Sequence, residues 1–494
     1  MIKAIVDNSK VISLLKKIIL TIVLSYRGTF LYKMFMKDDK GSFNNSFLYS
    51  FFEFFNTIVK NINKFILSLN LFPYLKPKLK LSDALNNSKI LKLFQVPKLN
   101  YNIQFAIFVI TIFLAALIPT MAVVVLVVLV FFSIITDRKL KIPKPVFTDA
   151  LIGLYLVNLI YGYAISSSPD RLNILLVDFV FVAFYYAVRN IVVSKEKIIN
   201  TVAFFSFSGF LVCIIAFLQY VLGVDSTQSW TDSDMFKDIG LRVYSTFQNP
   251  NVLGEYLLFL IPLTFAMVLI SKKIFHKIIF GGIFFCSLMT IILTYSRGCW
   301  IGLIIGIIFF LAMLYNKILV AGIFASPFSI LVLPQSIINR FASIGNMNDS
   351  STSYRVSIWN STYSMLKTHW ISGVGIGAEA YARTTVPFSH SGVFAQHAHN
   401  SYLHIFSETG LFGILTFSVL VFWILRQLFL AYKNSADKPI KIIAVSIISG
   451  LIGLLIQGFF DNTFYNYRMY LIFFIMLALS SAISEVVKCK EDGV

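Results

Sequence analysis

Long runs of uncharged apolar residues recur along the chain from Phe105 onward, and they constrain the fold more than any other feature. About 20 such residues are what an α-helix needs to cross the hydrocarbon core of a bilayer. Because backbone polar groups in lipid must be paired within the segment, we predict an all-α polytopic membrane protein with about twelve transmembrane helices. The predicted spans are 104–118, 120–136, 149–166, 172–188, 200–222, 252–270, 278–295, 299–315, 318–334, 410–425, 442–460 and 469–486. The first two spans meet at Pro119 and could instead form one bent or re-entrant element.

Composition and charge agree with a lipid-embedded chain. The mean hydropathy is +0.78 and only 13% of residues are charged, against roughly 25% in soluble domains. The net charge of +19 is not gathered in a soluble domain: residues 1–100 hold 16 Lys or Arg against 5 Asp or Glu, and the remaining excess lies in short loops. This pattern favours contact with anionic membrane lipids and not with nucleic acid. The four cysteines are widely spaced without a CxxC motif, so neither a redox site nor a structural zinc is indicated.

The predicted organisation has four parts. Residues 1–100 form a basic cytoplasmic or interfacial extension with amphipathic helices at 11–35 and 47–75. A signal peptide is not expected there, since Lys16 and Lys17 interrupt the apolar run. Residues 101–334 form nine transmembrane helices, and residues 335–409 form a large extracytoplasmic loop. Residues 410–494 form the last three transmembrane helices and a cytoplasmic tail.

The orientation follows from the loops that carry Lys and Arg. With a cytoplasmic N-terminus and alternating spans, basic residues concentrate in the inside loops, as the positive-inside rule requires. Three segments then share the outer face of the membrane: 223–251, 295–298 and the long loop. Convergence of separate segments on one face is what an active site needs.

His399 in the long loop is the natural general base near neutral pH. Its alternative role is a hydrogen bond to the loop backbone. Arg297 and Arg355 favour the catalytic role, because two guanidiniums at the outer leaflet match the oxygens of a diphosphate; Arg297 could instead be a snorkelling anchor. His397 and His399 have no carboxylate at helical spacing, so no metal site is predicted.

An ordered set of motifs resembles the bacterial O-antigen ligase and polymerase family. The set covers roughly residues 105–486 and leaves the N-terminal extension unexplained. It consists of Tyr244-Ser245-Thr246-Phe247-Gln248-Asn249-Pro250-Asn251, Thr294-Tyr295-Ser296-Arg297-Gly298, Arg355 with Trp359, Gly373-Val374-Gly375, and His399-Asn400 with Glu408-Thr409-Gly410. One departure is His369-Trp370, where relatives usually have His-Pro.

The resemblance implies a GT-C-like, metal-independent, inverting glycosyltransferase of the bacterial cytoplasmic membrane, with its active site on the extracytoplasmic face and no cofactor. Its donor would be an undecaprenyl-diphosphate-linked glycan and its acceptor a glycan or another hydroxyl compound. Carried over by position, Arg297 and Arg355 would hold the diphosphate and His399 would activate the acceptor. The predicted substrate-binding residues are Arg242, Asn249, Asn251, His397, Asn400 and Glu408.

Several alternatives stay open at the level of sequence. The Asn249-Pro250-Asn251 turn could simply cap a helix, and Asn400 and Glu408 could orient the loop. The motifs do not separate a ligase from a polymerase, although a Lys-rich and Phe-rich chain hints at a Gram-positive host without lipid A and therefore favours a polymerase. A secondary transporter or a flippase of lipid-linked glycans would also suit twelve spans, with Asp178 and Glu255 as its buried charges.

Overall fold

The computed structural model describes residues 103–135, 146–224, 241–315, 318, 335–343, 349–389 and 395–491. Regular structure in these ranges is helical, with two short 3₁₀ turns at Ser245–Phe247 and Val386–Phe388. The α-helices are α1 Ile103–Ala115, α2 Thr120–Ile135, α3 Phe147–Ile165, α4 Arg171–Ile191, α5 Lys195–Leu222, α6 Pro250–Ile270, α7 Ile274–Leu293, α8 Arg297–Leu314, α9 Gln335–Ala342, α10 Ser350–His369, α11 Ala378–Thr385, α12 Ser401–Asn434, α13 Lys438–Gln457 and α14 Tyr467–Glu491.

Within the described ranges, nine helices are long and apolar enough to cross a membrane: α3 to α8 and α12 to α14. They lie at nine of the predicted spans, and the chain is a multi-pass membrane protein. Helices α1 and α2 are separate and shorter, with 13 and 16 residues. The predicted span 318–334 and the N-terminal extension with its amphipathic helices lie outside the described residues, so the total of twelve stays a prediction.

Helix α13 packs against α6, α8 and α12. Its contact with α8 is a seam of small residues, in which a Cβ atom added to Gly302 would lie 2.5 Å from the carbonyl oxygen of Gly453. One turn further along α8, a Cβ atom on Gly306 would lie 2.7 Å from the carbonyl oxygen of Ser449. Small residues let two backbones approach closely where lipid supplies no hydrophobic drive for helix association. This seam fixes the position of α8, whose first residue is Arg297.

A buried ion cluster joins three helices at one end of the bundle. Arg189, near the end of α4, is 1% exposed and donates to both carboxylate oxygens of Asp149 in α3 at 2.6 and 2.7 Å. It also pairs with Glu485 in α14. Removing one member of such a cluster would leave a buried charge without its counter-ion. The cluster therefore holds α3, α4 and α14 together at this end.

The opposite end, called the loop end here, is formed by segments 241–249, 294–296, 395–400 and 458–466. Two of the helices that begin there have side-chain caps. Asn249 caps α6 by accepting from the backbone N–H of Asn251, with Pro250 in the first turn, and Asn400 caps α12 by accepting from two backbone N–H groups. Such caps satisfy donors that a helix start leaves unpaired. The two caps therefore fix the residues at which the loop segments end and helices α6 and α12 begin.

The long loop predicted at 335–409 contains α9, α10 and α11, and its last residues already belong to α12. Helix α12 bends at Gly410, which has φ +65°. A Cβ atom there would lie 2.1 Å from the carbonyl oxygen of Ile371. The glycine-rich segment runs alongside this bend: Val374 and Gly375 donate backbone hydrogen bonds to Ser407 and Glu408 at 2.8 and 3.0 Å. These glycines therefore allow the backbone of the glycine-rich segment to pack closely against α12.

Candidate functional site

Four arginines surround a cavity of about 300 Å³ at the loop end. They come from four separate segments of the chain: Arg242, Arg297, Arg340 and Arg355. Asn251, Trp359 and Gln457 also line it, and we call it the arginine cavity. Gathering this many guanidiniums out of bulk water is costly unless an anion compensates them, and Arg matches phosphate oxygens with planar, paired donors.

Arg297 is held in place by a network that joins α8 to the segment around α9. Its Nη1 donates to the carbonyl oxygen and the hydroxyl of Ser343 at 3.1 and 2.9 Å. The same guanidinium pairs with Asp349, which caps α10. Its side chain is 11% exposed, so Arg297 is packed against protein and does not extend into solvent.

Arg242 is fixed from two sides. Its Nε donates to the carbonyl oxygen of Thr294 at 2.8 Å, and its Nη2 donates to the side chain of Asn251 at 3.0 Å. Asn251 in turn donates to Asp461 at 2.9 Å. A chain of hydrogen bonds therefore connects the arginine cavity with the segment between α13 and α14.

The arginines repel one another. Burial and the neighbouring Arg340, Arg355 and Arg297 lower the pKa of Arg242 to about 9. Burial and Arg297 lower the pKa of Arg340 to about 10, against the opposing effect of Asp349. Burial lowers the pKa of Arg355 in the same direction, and the Nε atom of Arg355 is buried without a hydrogen-bond partner among the described residues. An anion in the cavity would relieve this repulsion.

His399 lies beside this cavity and forms a hydrogen-bonded pair with Asp461. The distance from His399 Nδ1 to the carboxylate oxygen is 3.0 Å, and Asp461 is 2% exposed. Trp359, which lines the arginine cavity, donates its indole N–H to the carbonyl oxygen of His399 at 3.4 Å. A carboxylate at Nδ1 selects the tautomer that leaves Nε2 as a proton acceptor, and it stabilises the imidazolium formed when that nitrogen takes a proton.

Asp461 is kept ionised despite its burial. Burial alone would raise its pKa, but the hydrogen bond and the charge of His399, followed by the charge of Arg355, hold the pKa of Asp461 well below its usual range. Its carboxylate also accepts from Asn251, and from the backbone N–H of Asn462 at 2.9 Å. The pair therefore consists of a fixed carboxylate and an oriented imidazole.

The backbone around the site is held in an uncommon conformation. Among the described residues, four non-glycine residues have positive φ: Ser245, Gln248, Tyr295 and His399. All four belong to the segments that carry Arg242, Arg297 and the His399–Asp461 pair. Conformations of this kind cost of order 1–3 kcal/mol each and collect at functional sites. The surrounding packing therefore supports a geometry that the local sequence does not prefer.

His397 neighbours His399, with ring centroids 4.1 Å apart, and stacks on Tyr465 at 4.9 Å and 10°. Burial and His399 lower the pKa of His397 to about 3. His397, His399 and Asp461 offer three ligand atoms within 4.8 Å of one another, a spacing that could hold a metal ion. As arranged, His397 Nδ1 accepts from the backbone N–H of His399 at 3.3 Å and His399 Nδ1 bonds Asp461, so one nitrogen of each ring is already engaged.

The remaining predicted site residues, Asn249, Asn400 and Glu408, are not part of the lining of the arginine cavity. Asn249 caps α6 and also donates to the hydroxyl of Tyr465 at 2.8 Å. Asn400 caps α12 and donates to the carbonyl oxygen of Phe459 at 3.2 Å. Glu408 accepts from the backbone N–H of Gly377 at 3.0 Å and lines a second cavity.

Three residues of the site were not predicted from the sequence: Asp461, Arg340 and Asp349. Each contacts a partner that is distant in the chain. Asp461 pairs with His399, Asp349 pairs with Arg297, and Arg340 donates to the carbonyl oxygen of Tyr295. A usable signal existed for Asp461. It is the one carboxylate between α13 and α14, in a short loop at the same end as the candidate base.

The fold and the site together define a multi-pass membrane protein with a cavity lined by four arginines and a histidine–aspartate pair at one end of its helices. Residues 282–418 match a protein family described as O-Antigen ligase. This part of the chain is therefore similar to the O-antigen ligase family, which confirms the resemblance inferred from the motifs. The matched range includes Arg297, Arg340, Arg355 and His399. The search of curated proteins returned no match to the chain.

Proposed function

We propose that the protein transfers a glycan from an undecaprenyl-diphosphate carrier to a hydroxyl of an acceptor glycan, outside the cytoplasmic membrane. The observation that carries this proposal is the His399–Asp461 pair beside a cavity with four arginines. The family match supports a role of the ligase or polymerase type in polysaccharide assembly and a glycosyltransferase-like enzyme. The location on the outer face follows from the distribution of Lys and Arg among the loops.

The donor diphosphate would occupy the arginine cavity. Four guanidiniums line it, and two carboxylates outside its lining, Asp349 and Asp461, interact with Arg297 and Arg355, so the site has positive charge to match a diphosphate. Arg355 and Arg297 would bind the diphosphate oxygens through charge-assisted hydrogen bonds. They would stabilise the negative charge that grows on the leaving group as its bond to the sugar breaks.

The transfer is a single displacement at the anomeric carbon. The acceptor hydroxyl oxygen forms the new bond to that carbon while the bond from the carbon to the diphosphate oxygen breaks, with inversion. The hydroxyl proton passes to Nε2 of His399, and Asp461 stabilises the resulting imidazolium. The diphosphate leaves with the bonding electron pair and remains among the arginines.

The mechanism proposed needs no metal ion, because the arginines supply the charge that a cation would otherwise bring to the diphosphate. Transfer activity in excess EDTA should equal activity without the chelator. Loss of activity in EDTA that returns with one divalent cation would contradict this part of the proposal, and the three ligand atoms of His397, His399 and Asp461 would be the first place to look for it.

Within this reaction class we favour a polymerase over a ligase. The support is compositional: 50 Phe and many Lys fit an AT-rich, Gram-positive host without lipid A as acceptor. A polymerase would yield a ladder of products that grow by one repeat unit, whereas a ligase would yield one transfer per acceptor.

The testing experiment uses the purified full chain in lipid nanodiscs with undecaprenyl-diphosphate-linked oligosaccharide isolated from the host, and follows products by gel and mass spectrometry. His399→Gln should lower the transfer rate by about 100-fold or more, as expected for loss of a general base. Arg297→Ala and Arg355→Ala should abolish measurable transfer and weaken binding of undecaprenyl diphosphate.

Arg383→Ala is the matched control. Arg383 lies on α11 in the same loop, its side chain is 65% exposed, and it pairs with Glu379 away from the cavity. This variant should retain wild-type transfer. Full transfer by all three site variants, with wild-type thermal unfolding, would overturn the site assignment.

A further inference from the structure

A second cavity of about 340 Å³ lies across one loop from the arginine cavity. The loop between α13 and α14 separates them: Phe460 lines the arginine cavity, whereas Asn462 and Tyr465 line the second one. Asp461 stands between these residues in the chain and holds His399. The proposed base therefore lies at the division between the two cavities.

The second cavity is lined by carboxyl groups. Asp170, Asp178 and Glu408 line it, and no Lys or Arg is among the described residues of its wall. We call it the carboxylate cavity. Asp178 is 3% exposed and accepts from the hydroxyl of Tyr155 at 3.1 Å. The carboxylates of Asp170 and Glu408, in a wall whose described residues include no Lys or Arg, disfavour ligands that carry a carboxylate or a phosphate.

One buried histidine in this wall has a ring nitrogen without a hydrogen-bond partner among the described residues. His404 lines the cavity and is 8% exposed, and its Nε2 lies 3.5 Å from Glu408. Its Nδ1 atom is buried without a hydrogen-bond partner among the described residues. A buried polar atom of this kind calls for a partner, which a bound hydroxyl compound can supply.

The remaining wall suits a sugar. Aromatic rings of Tyr155, Phe464, Tyr465 and Tyr467 line it together with the carboxylates, and aliphatic side chains such as Ile174 and Ile376 complete the wall. A sugar ring has apolar C–H faces that pack on aromatic rings and hydroxyls at its edge that donate to carboxylates. His397 lines this cavity and also contacts His399, so a sugar bound here lies next to the residues of the proposed base.

We propose that the carboxylate cavity binds the acceptor, and that it selects an acceptor sugar without a carboxylate or phosphate group. This inference rests on the proposed glycosyl transfer. The two substrates are then sorted by charge: the anionic diphosphate of the donor enters the arginine cavity, and the hydroxyl-rich acceptor sugar enters the carboxylate cavity. The acceptor hydroxyl reaches the anomeric carbon at the division, where its proton passes to His399.

Two variants test the acceptor site in the nanodisc assay, with the host's lipid-linked oligosaccharide at a fixed concentration as donor and the same oligosaccharide, released from its lipid, as the varied acceptor. Glu408→Gln and Asp178→Asn keep an oxygen that can accept from Gly377 and Tyr155, respectively, so the packing is preserved while the carboxyl group is replaced by an amide. Each should raise the KM for the acceptor at least 10-fold and leave binding of undecaprenyl diphosphate, measured by thermal shift, at the wild-type value. Glu379→Gln, on the exposed surface of α11, is the matched control and should change neither quantity.

The chemistry of the product gives an independent test. Linkage analysis of the lipid-linked oligosaccharide and of the mature polysaccharide identifies the sugar that carries the newly formed bond. That sugar should have no carboxylate or phosphate, and a uronic acid or phosphorylated sugar at this position would overturn the proposal, even if a variant failed to fold.

The two hypotheses fail in different ways. If the wild-type protein neither transfers glycan nor binds undecaprenyl diphosphate, the proposed function is wrong. If the wild type transfers glycan, the arginine variants lose transfer, and Glu408→Gln and Asp178→Asn keep the wild-type KM for the acceptor, then only the acceptor site is wrong.

Discussion

At the scale of single residues, His399 depends on groups that lie far from it in the chain. Its backbone has φ +45°, a conformation uncommon for residues other than glycine. Asp461 bonds one ring nitrogen and Trp359 bonds its carbonyl oxygen. These contacts orient the imidazole before any substrate binds. Catalysis by a general base requires such fixed geometry, because the base must lie within hydrogen-bonding reach of the proton it removes.

Asp461→Asn should reduce kcat by about 100-fold or more and leave undecaprenyl diphosphate bound at least as tightly as in the wild type, since a negative charge beside the arginines is removed. The amide no longer stabilises the imidazolium, and it can favour the tautomer that places the proton on the wrong nitrogen. The measurement is the initial transfer rate at saturating donor. Since the two residues act as a unit, Asp461→Asn combined with His399→Gln should be no slower than His399→Gln alone. Additive losses in the double variant would show that Asp461 does not act through His399.

His397 should make the folded state sensitive to acid. Its pKa of about 3 in the folded protein lies below the value of about 6.5 expected after unfolding. Below pH 6.5 the unfolded chain therefore binds more protons than the folded one, and stability falls as the pH drops through this window toward 3. The midpoint of thermal unfolding should decrease less between pH 7.5 and 5 in His397→Asn than in the wild type. An equal decrease in both proteins would rule out this contribution.

At the scale of helices, the contact between α8 and α13 is the element that positions Arg297. Gly302→Ala should lower the thermal unfolding temperature, because the new methyl group would meet the Gly453 carbonyl oxygen at 2.5 Å. Overpacking of this kind costs about 1–3 kcal/mol. Gly281 in α7 is the matched control, since a Cβ atom there meets nothing within 4 Å. Gly281→Ala should leave the unfolding temperature unchanged or raise it. The same response from both variants would mean that the seam is not tightly packed.

At the scale of the whole molecule, the sequence was sufficient to predict the helices but not to predict which distant residues contact each other in the site. The apolar runs predicted the nine described spans because membrane thickness sets helix length directly. Arg297 and Arg355, predicted as partners, do line one cavity. The position of Asp461 in a short loop was a signal, but its pairing with His399 was not predictable, because the contact spans 62 positions of the chain. Spacing along a sequence reports on neighbours within one helix and not on contacts between distant loops.

The loop between α13 and α14 has a consequence for the kinetics. It is a wall shared by two separate cavities, Phe460 facing one and Tyr465 the other, so each substrate can bind while the other is present. The proposed direct displacement requires such a ternary complex and forms no covalent bond between the sugar and the protein. Double-reciprocal plots of initial rate against donor concentration, at several acceptor concentrations, should give intersecting lines. Parallel lines would indicate a ping-pong reaction with a glycosylated enzyme.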